Sequence, residues 1–182
     1  MGSNHSAFQS EENKAKLAEY QKFTYLKTYE IFKCYEAFEK VAKKPRGKFE
    51  DWTIDEEKFR EFDQFKNNPF LDRIFEVFSN GDGAMSFEHY LNMMSVFSDS
   101  CPTDVKAKYA FRIYDFKNSH HLDQEDIGSL IEKITVKQNF SEDFKNIIIK
   151  KIFEEADIDG NDQISLEEFN HIANKYSNDF QK

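Results

Sequence analysis

The fold is decided by residues 157–168, which read Asp157-Ile158-Asp159-Gly160-Asn161-Asp162-Gln163-Ile164-Ser165-Leu166-Glu167-Glu168. Calcium takes six to eight oxygen ligands, which a twelve-residue loop supplies from positions 1, 3, 5, 7, 9 and 12. Glycine is expected at the sixth position, where the backbone is left-handed, and Asp162 replaces it at a cost of roughly 1 kcal/mol. The stretch predicts one calcium site, whose ligands in loop order are Asp157, Asp159, Asn161, Gln163 (main-chain carbonyl), Ser165 (through water) and Glu168.

Two segments with the periodicity of amphipathic helices flank this loop. Before it, Ser141 has the character of a helix N-cap, and apolar residues then recur at helical spacing as far as Phe153. After it, Leu166, Phe169 and Ile172 share one helical face. A helix, an oxygen-rich loop and a second helix form the EF-hand arrangement.

The same arrangement recurs three times upstream. The third loop spans residues 115–126, and its apolar eighth residue Leu122 corresponds to Ile164 of the fourth loop. Fainter copies centre on Met85 and Ile54. An EF-hand needs a neighbour to bury its apolar face, so four copies make two pairs. The predicted fold is all-α, with four EF-hand units in two pairs and short β-bridges between the paired loops.

The upstream loops are poor ligand sets. In the third loop Lys117 places a cation where an anion is needed, and Asp126 has a shorter side chain than the usual glutamate at position 12, which favours the smaller Mg²⁺. The second loop is about one residue too short, and the first loop ends on a lysine. We therefore expect one working site, in the fourth loop, and a weak second candidate formed by Asp115, Ser119, Asp123 and Asp126.

The predicted domains follow the pairing of the hands. Residues 1–98 would hold an N-terminal extension helix and the degenerate hands 1 and 2. Residues 99–182 would hold the second pair, with a degenerate hand 3 and a metal-binding hand 4.

Charge and composition limit the function. The chain has 34 acidic and 25 basic residues, a formal charge of −9, which argues against a nucleic-acid partner. Its two cysteines form no disulfide framework, and no apolar run approaches the roughly 18 residues of a membrane span. The polar N-terminal region contains no secretory signal, so we expect a cytoplasmic protein. The sequence also lacks a nucleophile elbow, a phosphate-binding loop and an HExxH pattern, and no catalytic activity is expected.

Large apolar side chains are abundant, with twenty phenylalanines and eight tyrosines. Most of them should form the cores of the hands, and the surplus predicts a groove for an amphipathic helix of a partner. The candidate groove residues are Phe87, Leu91, Met94, Phe97, Tyr109, Ile113, Leu130, Ile134, Ile148, Ile152, Phe169 and Ile172.

The first residues match the N-myristoylation pattern, with Gly2 as the acceptor, although an expression scar gives the same letters. A single myristoyl chain binds membranes only marginally, and the basic stretch 43–48 would supply a second signal. The pattern predicts a peripheral location at the inner face of the plasma membrane.

Motifs along almost the whole chain resemble the calcium- and integrin-binding protein family, also called calmyrins. The central run Ala110-Phe111-Arg112-Ile113-Tyr114-Asp115 is shared with the regulatory subunit of calcineurin, which is a wider relative. The other marks of the resemblance are Phe8, Glu19-Tyr20-Gln21, Asn68-Pro69-Phe70, Arg73-Ile74, Val77-Phe78-Ser79, Ser95-Val96-Phe97-Ser98, Pro102, Lys106-Ala107-Lys108-Tyr109, Phe116 and Glu154-Glu155-Ala156-Asp157.

The resemblance implies two EF-hand pairs with metal, Ca²⁺ or Mg²⁺, in the last two hands. It also implies a non-enzymatic adaptor that binds amphipathic helices of integrin α-subunit tails, of TMC-type channels or of kinases. Lys117 and His120 depart from the family's third loop, which puts the metal site there in doubt. Two alternatives remain open at this stage: a scaffold that does not respond to calcium, and a calcineurin-B-like regulatory subunit of a phosphatase or kinase.

Overall fold

The computed structural model describes residues 11–42, 51–135 and 140–179, and these ranges are mostly helical. Gly2 and the basic stretch 43–48 lie outside the described residues. Within the described part of the chain, no helix is both long and apolar enough to cross a membrane. The described helices and strands, in chain order, are α1 (Glu11–Phe23), α2 (Thr28–Val41), β1 (Thr53–Ile54), α3 (Glu56–Phe59), α4 (Leu71–Phe78), β2 (Met85–Ser86), α5 (Phe87–Val96), α6 (Thr103–Tyr114), α7 (Gln124–Ile134), α8 (Glu142–Ala156) and α9 (Leu166–Asp179).

These elements fall into two compact units. The first unit comprises Met1–Gln64 with Phe78–Cys101, and the second comprises Phe65–Val77 with Pro102–Lys182. Most of α4 therefore belongs to the second unit, although it precedes β2 and α5 of the first unit in the chain. The sequence patterns gave no sign of this interleaving.

Each unit contains one short β-pairing, which joins two of its loops. In the first unit β1 pairs antiparallel with β2, with Ile54 opposite Met85. In the second unit Leu122 and Ile164 form an isolated antiparallel bridge, in which each N–H donates to the other residue's carbonyl at 2.9 Å. All four side chains are almost completely buried. Each pairing thus fixes two loops and places their central apolar residues in the core.

The residue after each of these apolar positions caps the next helix. In every case its side-chain oxygen accepts a hydrogen bond from the N–H three residues further on, which satisfies one of the free donors of a helix start. The four capping residues are Asp55, Ser86, Asp123 and Ser165. The same local structure is therefore built four times, in loops whose sequences differ widely in their oxygen ligands.

Aromatic side chains fill the core of the first unit. The ring of Phe87 meets those of Tyr20, Tyr35 and Phe38 at steep angles, with centroid distances of 5.4 to 6.0 Å. Edge-to-face pairs of this kind are favourable beyond the area that they bury. Cys34 of α2 is also buried, and burial, with a smaller contribution from Glu30, raises the pKa of its thiol to about 12.

A mainly aliphatic cluster of buried residues lies in the second unit. It lies beneath the Leu122–Ile164 bridge, and side chains from α6, α7 and α8 contribute to it. Ser141 caps α8 by accepting a hydrogen bond from the Phe144 N–H, as the sequence predicted. The buried members of this core are Phe111, Leu122, Ile127, Ile131, Phe153, Ala156 and Ile164.

Candidate metal centre

Three carboxylates converge in the loop between α8 and α9. One oxygen each from Asp157, Asp159 and Glu168 lies within 4.8 Å of the other two. Among the residues that the structure describes, this is the one cluster of three or more acidic, histidine or cysteine side chains arranged to hold a metal ion. The cluster contains the predicted ligands of positions 1, 3 and 12.

Main-chain N–H groups orient Asp157 at the start of this loop. Its Oδ1 accepts from Gly160 at 2.8 Å and from Asn161 at 3.1 Å, and its Oδ2 accepts from Asp162 at 2.9 Å. The chain can wrap around the carboxylate because Gly160 and Asp162 both have positive φ, at 72° and 60°. The loop conformation therefore depends on Asp162 adopting a backbone geometry that favours glycine.

Glu168 ties the end of the loop back to its beginning. Its Oε1 accepts from the Ile158 N–H at 2.8 Å, and its Oε2 accepts from both the N–H and the hydroxyl of Ser165 at 2.8 Å. Burial alone would raise the pKa of this carboxyl, but the hydrogen bonds from Ser165, Ile158 and Asp159 outweigh it and hold the pKa below its ordinary value. Glu168 is therefore an ionised carboxylate at neutral pH, the form that binds a cation.

The remaining predicted ligand residues are linked to the cluster by hydrogen bonds. Asn161 donates from its amide to Asp159 at 2.9 Å and accepts from the Gln163 N–H at 2.8 Å, while Ser165 donates to Glu168. All six predicted ligand positions thus offer oxygen, the ligand atom that Ca²⁺ and Mg²⁺ prefer. The residues of this loop fit a calcium ion.

The third loop does not assemble its acidic residues in this way. Asp115 accepts from the N–H groups of Ser119 and His120, and Asp126 accepts from those of Phe116 and Asp123. These candidate ligands are not among the residues that the structure gathers into a cluster. Burial, the largest influence, raises the pKa of Asp126, whereas the pKa of Glu168 at the same loop position is lowered.

Lys117 contacts two acidic residues at the other end of the third loop. Its Nζ lies 2.7 Å from Asp123 Oδ2 and 2.5 Å from Glu125 Oε2. Burial would raise the pKa of Asp123, but the hydrogen bond from Lys117 and the N–H groups of Asp126 and Glu125 bring it below its ordinary value. The sequence identified Lys117 as an obstacle to metal binding but did not predict its pairing with Glu125, which is not a ligand position.

A second cation, Arg73 of α4, holds the beginning of the third loop. Its guanidinium is buried and donates to the carbonyl oxygens of Arg112 at 2.9 Å and Asp115 at 2.6 Å, and to Asn118 Oδ1 at 3.1 Å. It also pairs with Glu76 at 2.6 Å. Sequence reasoning did not assign a role to this residue, although an arginine on the apolar face of a short helix is a signal that it has buried partners.

The predicted groove residues have very different environments. Phe87, Leu91 and Ile113 are buried in their own units, because their helices pack these side chains inwards. We therefore leave them out of any binding surface. Phe97 is exposed in the first unit. The residues that pack in part against the core of the second unit are Leu130, Ile148, Ile152, Phe169 and Ile172, while Met94 and Tyr109 are half-buried.

Ile134, Phe144 and Ile147 form what we call the α7–α8 patch. They are respectively 60%, 45% and 54% exposed. Lys145 in the first turn of α8 contacts Glu132 in the last turn of α7, with Nζ 3.0 Å from Oε1, and this ion pair brings the two ends together. Only Ile134 of this patch was among the predicted groove residues.

The repeated helix–loop–helix structure and the carboxylate cluster define an EF-hand protein. The sequence agrees, because residues 104–173 match the family described as an EF-hand domain pair.

Relatives that match most of the chain narrow this class to one family. Calcium and integrin-binding family member 2 of Drosophila melanogaster is 34% identical over 163 residues, which cover 86% of each chain. Family member 3 of Homo sapiens is 32% identical over 179 residues, or 94% of this chain and 92% of the relative. Family member 2 of Danio rerio is 37% identical over 113 residues, which cover 62% of this chain and 60% of the relative. The chain belongs to the calcium and integrin-binding family, as the sequence motifs predicted.

Proposed function

We propose that this protein is a non-catalytic, calcium-binding adaptor that binds an amphipathic helix from the cytoplasmic segment of a membrane protein. The observation that carries the proposal is the cluster of Asp157, Asp159 and Glu168, in a chain whose relatives are named for binding calcium and integrin. We assign one Ca²⁺ to the fourth loop, where Mg²⁺ would be the competing ion.

We propose that the chain contains four EF-hand units in two pairs. The Ile54–Met85 and Leu122–Ile164 pairings support this number, since each joins two loops at corresponding positions. The four helix caps that follow these residues support it as well. Three of these hands would be structural.

The fourth loop couples the metal site to two helices. Asp157 directly follows the last residue of α8, and Glu168 lies in the first turn of α9. Bound calcium would supply a charge that draws these two carboxylates together and so restrains the angle between the helices. The hydrogen bonds of Glu168 to Ile158 and Ser165 already hold its carboxylate towards the start of the loop.

The α7–α8 patch is our candidate surface for the partner helix. Its exposed apolar side chains suit the apolar face of an amphipathic helix. The first turn of α8 carries two exposed acidic residues, Glu142 and Asp143. They would attract basic residues that flank the apolar face of the partner helix. An integrin α-subunit tail or a TMC-type channel segment would be such a partner, and kinases are a further class.

The proposal is tested by measuring calcium and helix binding in the same protein. Calorimetry should show one calcium site in the wild type, and Glu168→Gln should weaken it by at least a hundredfold, because the bidentate carboxylate loses its negative charge and one of its two oxygens is replaced by an amide NH2 group. Glu167→Gln, at the adjacent exposed position, should leave it within threefold. Integrin-tail peptides should bind the calcium-loaded wild type at least fivefold more tightly than the Glu168→Gln variant. Failure of both the calcium and the peptide measurements would refute the adaptor proposal.

A calcium-independent scaffold is the second candidate. The ion pairs of Lys117 and the β1–β2 pairing favour it, because they order three of the four loops without a metal. A scaffold would bind the peptide equally well in calcium and in chelator. A fivefold or greater loss of affinity in chelator would exclude it.

A further inference from the structure

Lys117 connects the two halves of the third loop. It stands at position 3, while Asp123 and Glu125 stand at positions 9 and 11. The ammonium contacts both carboxylates at 2.7 and 2.5 Å, so one side chain bridges the incoming and the outgoing parts of the loop. In a metal-loaded EF-hand the ion makes this connection.

The fourth loop has an acidic residue where the third loop has Lys117. It carries five carboxylates and no basic side chain, and Asp159 occupies the position that corresponds to Lys117. Asp159 accepts hydrogen bonds from Asn161 and points an oxygen into the carboxylate cluster. The Leu122–Ile164 bridge joins the two loops at corresponding positions, so their backbone frameworks match there. They differ in the side chain at position 3, which is basic in the third loop and acidic in the fourth.

Arg73 adds a permanent positive charge at the beginning of the third loop. Its hydrogen bonds to the carbonyl oxygens of Arg112 and Asp115 satisfy acceptors at the end of α6, where a cation is also favoured by the helix dipole. Asn118, whose φ is 52°, is held by the same guanidinium. Both ends of the third loop are therefore fixed by basic side chains of the protein.

We infer that the Lys117 ammonium takes the place of a metal ion in the third hand. The family resemblance implied metal in the last two hands, and the third loop does not fit one, because Lys117 occupies a ligand position and pairs with Asp123, a second ligand position. The carboxylates of this loop are also not among those that converge in the described part of the chain. The third hand thus has a cation that cannot dissociate. It keeps its shape at every calcium concentration, and Lys117 excludes a second metal ion.

This role has a consequence for the fourth hand. A pair with two exchangeable ions can bind them cooperatively, whereas a pair with one fixed cation responds to a single binding event. The Leu122–Ile164 bridge passes the fixed geometry of the third loop to the centre of the fourth. The inference rests on the proposed function only in assigning calcium to the fourth loop.

The first test counts metal ions in the variant Lys117→Asp. This substitution removes the ammonium and restores an oxygen ligand at position 3. Calorimetry with Ca²⁺ and with Mg²⁺ should show one equivalent more than in the wild type. The difference between the two proteins is the readout, so the result does not depend on whether the fourth hand binds. Repeating the titrations in the Glu168→Gln background isolates the new site.

The second test asks whether the ammonium orders the metal-free loop. In chelator, Lys117→Met should speed hydrogen exchange at the Ser119, His120 and Leu122 amides at least fivefold. The control is Lys58→Met, which removes a similarly exposed lysine that pairs with Glu61 in the first unit. That variant should leave the three amides unchanged.

The outcomes separate this inference from the proposed function. A folded Lys117→Asp variant with the wild-type number of ions would overturn the claim that Lys117 excludes the metal. Unchanged exchange in Lys117→Met would overturn its structural role. Two equivalents of comparable affinity in the wild type would also overturn the inference, while leaving the adaptor proposal intact. No calcium binding in the wild type, with one equivalent in Lys117→Asp, would reject the calcium proposal and uphold the role of Lys117.

Discussion

Asp162 connects backbone strain to the metal centre at the scale of a single residue. Its φ of 60° lies in the left-handed region, which costs a residue with a Cβ atom about 1 kcal/mol. In this conformation its N–H points at Asp157 and donates to Oδ2 at 2.9 Å. The strain is therefore part of what orients the first ligand of the loop.

Two uncharged substitutions separate this strain from the charge of the aspartate. We expect Asp162→Gly to have a free energy of unfolding about 1 kcal/mol higher than Asp162→Ala, since the loop has this left-handed backbone and glycine adopts it without the cost that alanine retains. Urea denaturation of both variants in chelator measures the difference. Equal stabilities would show that the left-handed backbone at this position carries no energetic cost.

Sequence position identified the three carboxylates that the structure brings together, but not their hydrogen-bond partners. The candidate ligands from Asp157 to Glu168 follow from their spacing, because loop positions map directly onto the geometry of the oxygen cage. The partners of Lys117 do not follow, since a side chain with four rotatable bonds reaches many acceptors. The strained backbone at position 6 was predicted because that conformation belongs to the loop itself.

At the scale of helices, the sequence predicted features that depend on neighbouring residues but not those that depend on contacts far along the chain. The capping role of Ser141 was visible in the sequence, since a cap depends on neighbours three residues away. The membership of α4 in the second unit was not visible, because it depends on contacts of Arg73 with residues about forty positions later in the chain. Apolar periodicity shows that a helix has a buried face and leaves open what covers that face.

Arg73 offers a test of this long-range contact. Arg73→Met should lower the free energy of unfolding by about 2 kcal/mol, because it removes the donor to the half-buried carbonyl oxygen of Arg112 and the shorter of two hydrogen bonds to the buried carbonyl oxygen of Asp115. Urea denaturation measures the change. The control is Arg60→Met, which removes an exposed arginine paired with Glu56 and should change stability by less than about 0.5 kcal/mol. Similar effects of the two substitutions would contradict the anchoring role of Arg73.

At the scale of the whole molecule, four loops share a common framework although their sequences offer very different sets of oxygen ligands. The paired apolar residues and the helix caps need only a few side chains, and they are present at each of the four loops. The ligand set needs six correct positions and is complete only in the fourth loop. This framework does not depend on a complete ligand set, so an ion bound at the proposed site in the fourth loop would act on a largely preformed structure.

Burial divides the predicted groove residues in a way that sequence periodicity could not. Phe87 and Leu91 have the same helical spacing as surface residues, yet both are buried, and aromatic rings of the first unit pack against Phe87. Ile134 has the same apolar character and is 60% exposed. Phe144 and Ile147 were not selected, because their residue types gave no reason to separate them from the core residues of α8.

The α7–α8 patch can be tested with a double substitution. Phe144→Ser combined with Ile147→Ser should weaken binding of integrin-tail peptides at least tenfold, because each apolar side chain is worth about 1.5 to 3 kcal/mol when fully buried. Its stability should change by less than about 1 kcal/mol, since both side chains are about half exposed in the free protein. The matched control is Phe23→Ser, which removes a phenylalanine of the first unit that is 77% exposed. The control should stay within twofold of the wild type in the same titration. Equal losses in both proteins would indicate nonspecific hydrophobic association, and an unchanged affinity in the double variant would place the partner helix on another surface.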